Sequence, residues 1–382
     1  MTTSSAMRAG HLTLLQTDVC RTLEQLSQIN DEWKLLLKES DADNLFLSWD
    51  WVSSWIESNE ECELFVIIVR DSNQSLVGVA PFHLSPISKA GLSVRTLKFV
   101  GDQRGDSVGL GIICRSGLEA EVSVAILDCI STVGGWNVLV LSDLAENAST
   151  AAFIREIQRR KWSTAKRGSP HSLLALPETW GAFLQTLSRK RRAGLRRTIE
   201  RLEGLNIRFE RVDSAAAVLE AMEELFRLHT ARWRLAGISG AFRSKQRREF
   251  YMKAALSALQ NKTLDLWTAR IEGNIVAVEL GFVTSGRRVA LQSGFDPRFA
   301  RLRVGAALEA HVIQAAILAG VREYDFLGGD QRFKAGWGAQ LREYTSVKCA
   351  PGGAGSAWVR LSESKVVRSL RNTLLRSHEA DG

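Results

Sequence analysis

The chain has 382 residues, room for two domains of about 150 each. With 45% hydrophobic and 24% charged residues it has the composition of a folded globular protein, which excludes a disordered, collagen-like or disulfide-stapled chain. The net charge of +8 is unevenly placed: residues 1–170 hold 16 Lys and Arg against 21 Asp and Glu, residues 171–382 hold 34 against 21, and the halves carry −5 and +13. A basic second half favours an anionic partner: a phosphorylated small molecule, a nucleic acid or a membrane surface. Five cysteines, odd in number and without C-x-x-C spacing, fit a reduced intracellular protein and exclude a zinc ribbon. The opening MTTSSAMRAG has no apolar stretch of a secretory signal, and no run approaches the ~18 apolar residues a spanning helix needs. A cytoplasmic protein without a metal site is expected.

In chain order, a strand at His11–Gln16 precedes helices near 18–28, 31–39 and 48–57. Strands Glu63–Arg70 and Ser75–Leu84 flank Asp71-Ser72-Asn73-Gln74, which has hairpin-turn chemistry. Strand-like stretches at 95–100 and 108–114, a helix at 117–132, an apolar strand Trp136–Leu141 and a helix at 149–161 complete the half. Lys161–Pro170 reads as a linker, and a basic helix follows it. The second half begins with a strand, Asn206–Arg211, and helices at 214–234 and 244–259. Strands Thr263–Ile271 and Asn274–Val283 are joined by the tight turn Glu272-Gly273-Asn274, and Arg288–Ser293 is a third strand. A helix at 304–319 stops at Gly320, a natural C′ residue. A short strand Glu323–Phe326, a helical turn near 330–337, a strand at 342–349 and a helix near 361–377 close the chain.

Both halves read β-α-α-β-β-β-α-β-α, which predicts a duplicated α/β (α+β) unit with mixed, largely antiparallel sheets. The expected units are residues 1–165, residues 171–350 and a tail at 351–382.

That element order resembles the GNAT-like acetyltransferase fold. Leu225–Trp233, Ser293-Gly-Phe-Asp-Pro297, Val304-Gly-Ala-Ala-Leu308, Tyr324–Asp330 and Phe333-Lys-Ala-Gly-Trp337 sharpen it, joined in the first half by Leu45–Trp51 and Leu97–Gly101. Together they resemble the tandem-domain acetyltransferase-like proteins associated with bacterial cellulose and exopolysaccharide synthesis, relatives of the Fem-type aminoacyl transferases. The resemblance implies two acyl-CoA N-acyltransferase domains, the second catalytic, with acetyl-CoA or another acyl-CoA as co-substrate. It implies an amine acceptor, such as one on a sugar or sugar-linked precursor.

The residues carry chemistry of their own. Arg298, Arg301 and Arg303 precede Val304-Gly305-Ala306 at a helix start, where free N–H groups and the dipole favour phosphate and Gly305 lets an anion approach the backbone. The family's corresponding loop, Q/R-x-x-G-x-G/A, holds the CoA pyrophosphate; here its first position is Leu302. Gln292, Ser293 and Gly294 end the preceding strand, where a bulge or close backbone approach belongs. These eight positions, Gln292 to Gly294, Arg301 and Arg303 to Ala306, are the candidate donor contacts. Lys334 is a candidate for stabilising an oxyanion, and Asp330, Asp325 or His229 for taking a proton from an amine. The resemblance places a Phe-Lys pair, here Phe333-Lys334, beside the acceptor, and an acidic residue of the first domain near it, here Asp106. Arg232, Trp233 and Tyr324 are further acceptor candidates. The plainer alternatives are a solvated lysine, a turn-capping Asp325 and a core histidine.

Seven cations between Arg189 and Arg201, with Leu187, Leu195, Ile199 and Leu202 as an apolar stripe, make an amphipathic basic helix suited to an anionic small molecule such as the CoA 3′-phosphate or a nucleotide-linked sugar, to a transfer RNA or to an anionic membrane, the plainer alternative being a solvated face. Trp49, Trp51 and Trp55 read as core or inter-domain packing, with a sugar-stacking platform as the alternative. The P-loop, H-E-x-x-H, G-x-S-x-G and complete G-x-G-x-x-G patterns are absent. Aminoacyl transfer from transfer RNA and a non-catalytic accessory role are the alternatives to acyl-CoA chemistry.

Overall fold

The computed structural model describes residues 15–59, 61–89, 92–102, 107–235, 237, 240–328 and 331–363. The first half forms β1 (Gln16–Cys20), α1 (Leu23–Ser27), α2 (Asn30–Glu39), α3 (Trp49–Glu57), β2 (Glu63–Arg70), β3 (Leu76–Lys89), β4 (Leu92–Phe99), β5 (Ile113–Cys114), α4 (Glu119–Val133), β6 (Val138–Leu144), α5 (Ala148–Arg159) and β7 (Ser163–Ala175). The second forms α6 (Trp180–Thr186), α7 (Arg189–Glu203), β8 (Arg208–Arg211), α8 (Ala215–Leu235), α9 (Lys245–Gln260), β9 (Leu264–Ile271), β10 (Asn274–Thr284), β11 (Arg287–Phe295), α10 (Val304–Leu318), β12 (Glu323–Asp325), α11 (Gln331–Ala335), β13 (Gln340–Ala350) and α12 (Gly353–Glu363).

Local chemistry sets many of these ends. The Asp71 carboxylate accepts from the N–H groups of Asn73 and Ser75 and closes the β2–β3 turn. Glu272 and Gly273, both at positive φ (50° and 79°), make the β9–β10 hairpin. Gly320, at φ 76°, ends α10 as a C′ glycine should.

One sheet runs through the chain in the order β1-β2-β3-β4-β6-β13-β7-β12-β11-β10-β9-β8, with β5 on β3. Most pairings are antiparallel; β4–β6 and β11–β12 are parallel. The mixed, largely antiparallel fold class is therefore observed. The last strand of each half crosses over: β13 pairs with β6 of the first half, and β7 pairs with β12 of the second. β13 pairs with β7 along its whole length, from Gln340↔Leu173 to Ala350↔Ser163.

The expected linker at Lys161–Pro170 is thus mostly strand. Its polar composition misled because the middle of β7 is solvent-facing, with Lys166 and Arg167 exposed. Gly168 belongs to the strand for a steric reason: the Glu343 side chain occupies the place of a Cβ. The strand expected at 108–114 is reduced to Ile113–Cys114, α12 begins at Gly353, and most of the helix expected at 361–377 and of the strand expected at His11–Gln16 lies outside the described residues.

Trp51 seals the junction between the halves. It is 1% exposed, and its ring meets Phe250 at 4.8 Å and Phe282 at 5.8 Å. No helix among the described residues is long and apolar enough to cross a membrane.

Candidate active site

β11 pairs with β10 from Arg287 to Phe295, with a bulge that inserts Leu291 opposite Leu280 and Gly281. Among the described residues its other edge pairs with β12 only from Arg287 to Val289. Beyond Val289 the two parallel strands part. A cleft of about 540 Å³ opens there, walled by β11, the C-terminal turns of α8, the start of α10 and the segment leading to α11. Gly294 is required at this wall, since a Cβ there would lie 2.8 Å from the His229 backbone nitrogen.

The start of α10 closes one end. Arg303 sits at φ 56°, a conformation non-glycine residues adopt at a cost, and it turns the chain into the helix. Arg303, Gly305 and Ala306 line the cleft with Gln292, Ser293 and Gly294. Gly305 faces the Phe295 ring, where a Cβ would come within 3.2 Å. Arg301 is exposed and lies outside the lining, and Val304 is fully buried in the core, so these two expected donor contacts are not part of the wall. Leu302 packs into the core around α10, which explains why a side chain departing from the family's polar one stands there.

His229, Arg232 and Trp233 also line the cleft. His229 Nε2 accepts a hydrogen bond from the Trp233 indole at 2.8 Å. Burial, reinforced by Arg232 and Arg247, pushes its pKa down to about 4. The ring is neutral at pH 7 with its proton on Nδ1, and the lone pair a base needs is already taken. His229 therefore shapes the wall, and the proton-acceptor role expected for it does not fit.

Lys334 lines the cleft, but its ammonium donates to the carbonyls of Phe326 (2.7 Å), Leu327 (2.9 Å) and Gly328. Three carbonyls match its three protons. It clamps a turn in which Leu327 has φ 57°, and this geometry does not leave it aimed at an oxyanion. Tyr324 and Asp325 are neighbours in β12, so they face opposite sides of the sheet. Asp325 accepts from the Leu327 N–H at 2.8 Å and lines a separate cavity with Arg287 and Tyr344. Burial raises its pKa, but it is not in the cleft and cannot act there as a base. Tyr324 is fully buried beneath the cleft and is not exposed to an acceptor. Asp330 and Asp106 lie outside the described residues.

Under the cleft floor is a cluster that the sequence analysis did not anticipate. Tyr324 Oη lies 2.6 Å from Glu279 Oε1 and 2.6 Å from Glu309 Oε1. Both carboxyls are nearly buried, and both line the cleft. Glu279 also pairs with Arg288 at 2.8 Å, and Arg288, wholly buried, pairs with Asp265 at 2.5 Å. Gly281 leaves the room for that guanidinium. A phenol has one proton to give. Two short contacts to carboxyl oxygens therefore require one carboxyl to donate back. Burial, with the Glu279 charge adding, lifts the Glu309 pKa to about 8. The order at neutral pH is then Glu309 carboxyl to Tyr324 hydroxyl to Glu279 carboxylate, anchored on Arg288. A signal existed: α10 reads VGAALEAHVIQAAIL and β10 reads NIVAVELGFVT, each with a single carboxylate among mostly apolar residues.

Residues 189–335 match the family model described as an acetyltransferase (GNAT) domain. No curated protein matches the chain. Among solved structures, FemX shares 11% identity at TM-score 0.60, over 83% of this chain and 95% of that one. The L-PGS structure from Bacillus licheniformis shares 12% at TM-score 0.51, over 92% and 96%. The C-terminal domain of a protein from Agrobacterium fabrum described as a lysylphosphatidylglycerol synthetase shares 12% at TM-score 0.51, over 88% and 95%. These likenesses show a shared fold, and residues 189–335 are similar to an acetyltransferase (GNAT) domain.

Proposed function

We propose that the cleft transfers an acyl group from an acyl-CoA to an amine. The observation that carries this reading is the convergence, in one cleft, of an unpaired strand edge, a glycine-lined helix start and a carboxyl pair that shares a proton. Beyond Val289 the free edge of β11 offers backbone groups to the amide-bearing arm of such a donor. The first turn of α10 offers N–H groups and Arg303 to its pyrophosphate. The amine nitrogen attacks the thioester carbonyl; the C–N bond forms, and the C–S bond breaks with the sulfur leaving as thiolate. The nitrogen's proton passes to Glu309 once that carboxyl, whose pKa burial and the Glu279 charge lift to about 8, has given up its own, so the step quickens as pH rises toward 8. Positioning of the two substrates supplies much of the rest. The acceptor that fits the sequence resemblance is an amine on a sugar or sugar-linked precursor, and residues 1–165 are its positioning partner.

The test is thermal unfolding with and without CoA, acetyl-CoA and longer acyl-CoAs, on the wild type and on Gly305→Glu. A ligand at about 100 times its Kd adds about 2.7 kcal/mol to the folded state. A shift that disappears in Gly305→Glu is expected. Absence of a shift with all of these thioesters refutes the donor assignment.

A further inference from the structure

A second recess adjoins the cleft. It measures about 420 Å³ and lies between the first turns of α7 and the turn after α11. Lys190, Arg191, Arg197 and Arg303 line it, and among the described residues its lining includes no carboxylate. Arg303 belongs to both cavities, so the two are continuous around that side chain. The Arg303 guanidinium lies against α7 at Gly194, where a Cβ would be in ordinary contact 3.8 Å from Nη1. The Arg191 guanidinium is seated on the Trp337 ring at 4.2 Å, while its Nε and Nη2 are out of water and without a hydrogen-bond partner. Buried N–H groups with no acceptor and a cation with no counter-charge are costly. Here three more cations are gathered around the same space.

We propose that this recess is a phosphate site that holds a phosphate ester of a substrate bound in the adjoining cleft. An anion here would lie among four cations and supply the counter-charge that Arg191 lacks. The site is distinct from the helix start at Gly305 and Ala306, which do not line the recess. The phosphate has two possible sources, the 3′-phosphate of a CoA donor or a phosphate of the acceptor. The first rests on the acyl-CoA reading above; the site itself does not.

The experiment measures inorganic pyrophosphate binding by calorimetry on the wild type, on Lys190→Gln/Arg197→Gln and on Gly305→Glu. Lys190 and Arg197 are exposed, so the double variant keeps the fold. At least a tenfold loss of affinity in the double variant, with less loss in Gly305→Glu, is expected. Equal affinity in the wild type and the double variant, or no binding to the wild type at millimolar pyrophosphate, overturns the proposal. A second arm compares CoA with dephospho-CoA. Preference for CoA that the double variant loses assigns the phosphate to the donor; equal binding of the two, with pyrophosphate binding still dependent on the recess, assigns it to the acceptor. If CoA does not bind at all while pyrophosphate still depends on the recess, the donor reading fails and the phosphate site stands. Salt-sensitive transfer RNA binding that the double variant loses, without pyrophosphate binding, gives α7 to RNA and overturns the proposal.

Discussion

Replacing Glu309 with Gln isolates the buried proton. Glutamine keeps the shape and a hydrogen-bond donor toward Tyr324 but cannot ionise. In the wild type the unfolded Glu309 loses its proton near 4.5, whereas the folded one holds it to about 8. Between these values unfolding releases a proton, so Glu309 favours the folded state fully below 4.5 and progressively less as pH rises toward 8. Each pH unit in this window removes about 1.4 kcal/mol. At pH 7 the window spans some 2.5 units, giving a ceiling of about 3 kcal/mol. Glu309→Gln should therefore be more stable than the wild type at pH 7, with an advantage that shrinks as pH falls toward 5. Urea unfolding from pH 5 to 8.5 measures it. The same variant should lose the alkaline rise of kcat/KM that the shared proton predicts. A stability difference that does not change with pH would refute the protonation order assigned to Glu309, Tyr324 and Glu279.

Other perturbations follow from the same geometry. Gly294→Ala places a methyl group 2.8 Å from the His229 backbone nitrogen and should cost about 1–3 kcal/mol in chemical denaturation while weakening ligand binding in the cleft. Lys334→Met frees three carbonyls and should destabilise by about 1–3 kcal/mol, with faster amide hydrogen exchange confined to the turn that follows β12. Arg288→Met leaves Glu279 and Asp265 buried without their cation and should cost about 3–5 kcal/mol at pH 7, read by urea unfolding; a loss below about 1 kcal/mol would contradict the ion-pair assignment. The His229 ring, neutral above about pH 4, should show no titration between pH 5 and 8 in its NMR spectrum.

Element order was legible because its signals are local. Caps, turns and apolar periods mark α3, α8, α10 and the β9–β10 hairpin, each of which forms close to its expected place. The cleft wall at Gln292 to Gly294 and the start of α10 was legible for the same reason, since a glycine at a strand end and an arginine before a helix are close in sequence. What was hidden depends on contacts between distant segments. The polar face of β7 disguised a strand whose partners lie 175 or more residues further on for much of its length. Glu279, Glu309 and Tyr324 come from a strand, a helix and another strand. Each is an ordinary residue in its own segment and becomes a proton-sharing group only when packed against the others. The proton-accepting role expected of His229 failed because an adjacent turn of α8 brings Trp233 to its lone pair.

The crossing of β7 and β13 ties the two halves together in time as well as space. Residues 16–159 can assemble β1 to β6 as they emerge during synthesis, but the open side of β6 receives its partner only when β13 arrives near the end of the chain. Closure is thus delayed until some two hundred further residues have been made, and pairings of such long sequence separation form slowly. Severing the chain between β7 and α6 would leave each fragment with a bare strand edge and an unclaimed final strand, so the two pieces should aggregate when made singly and recover one folded unit when made together.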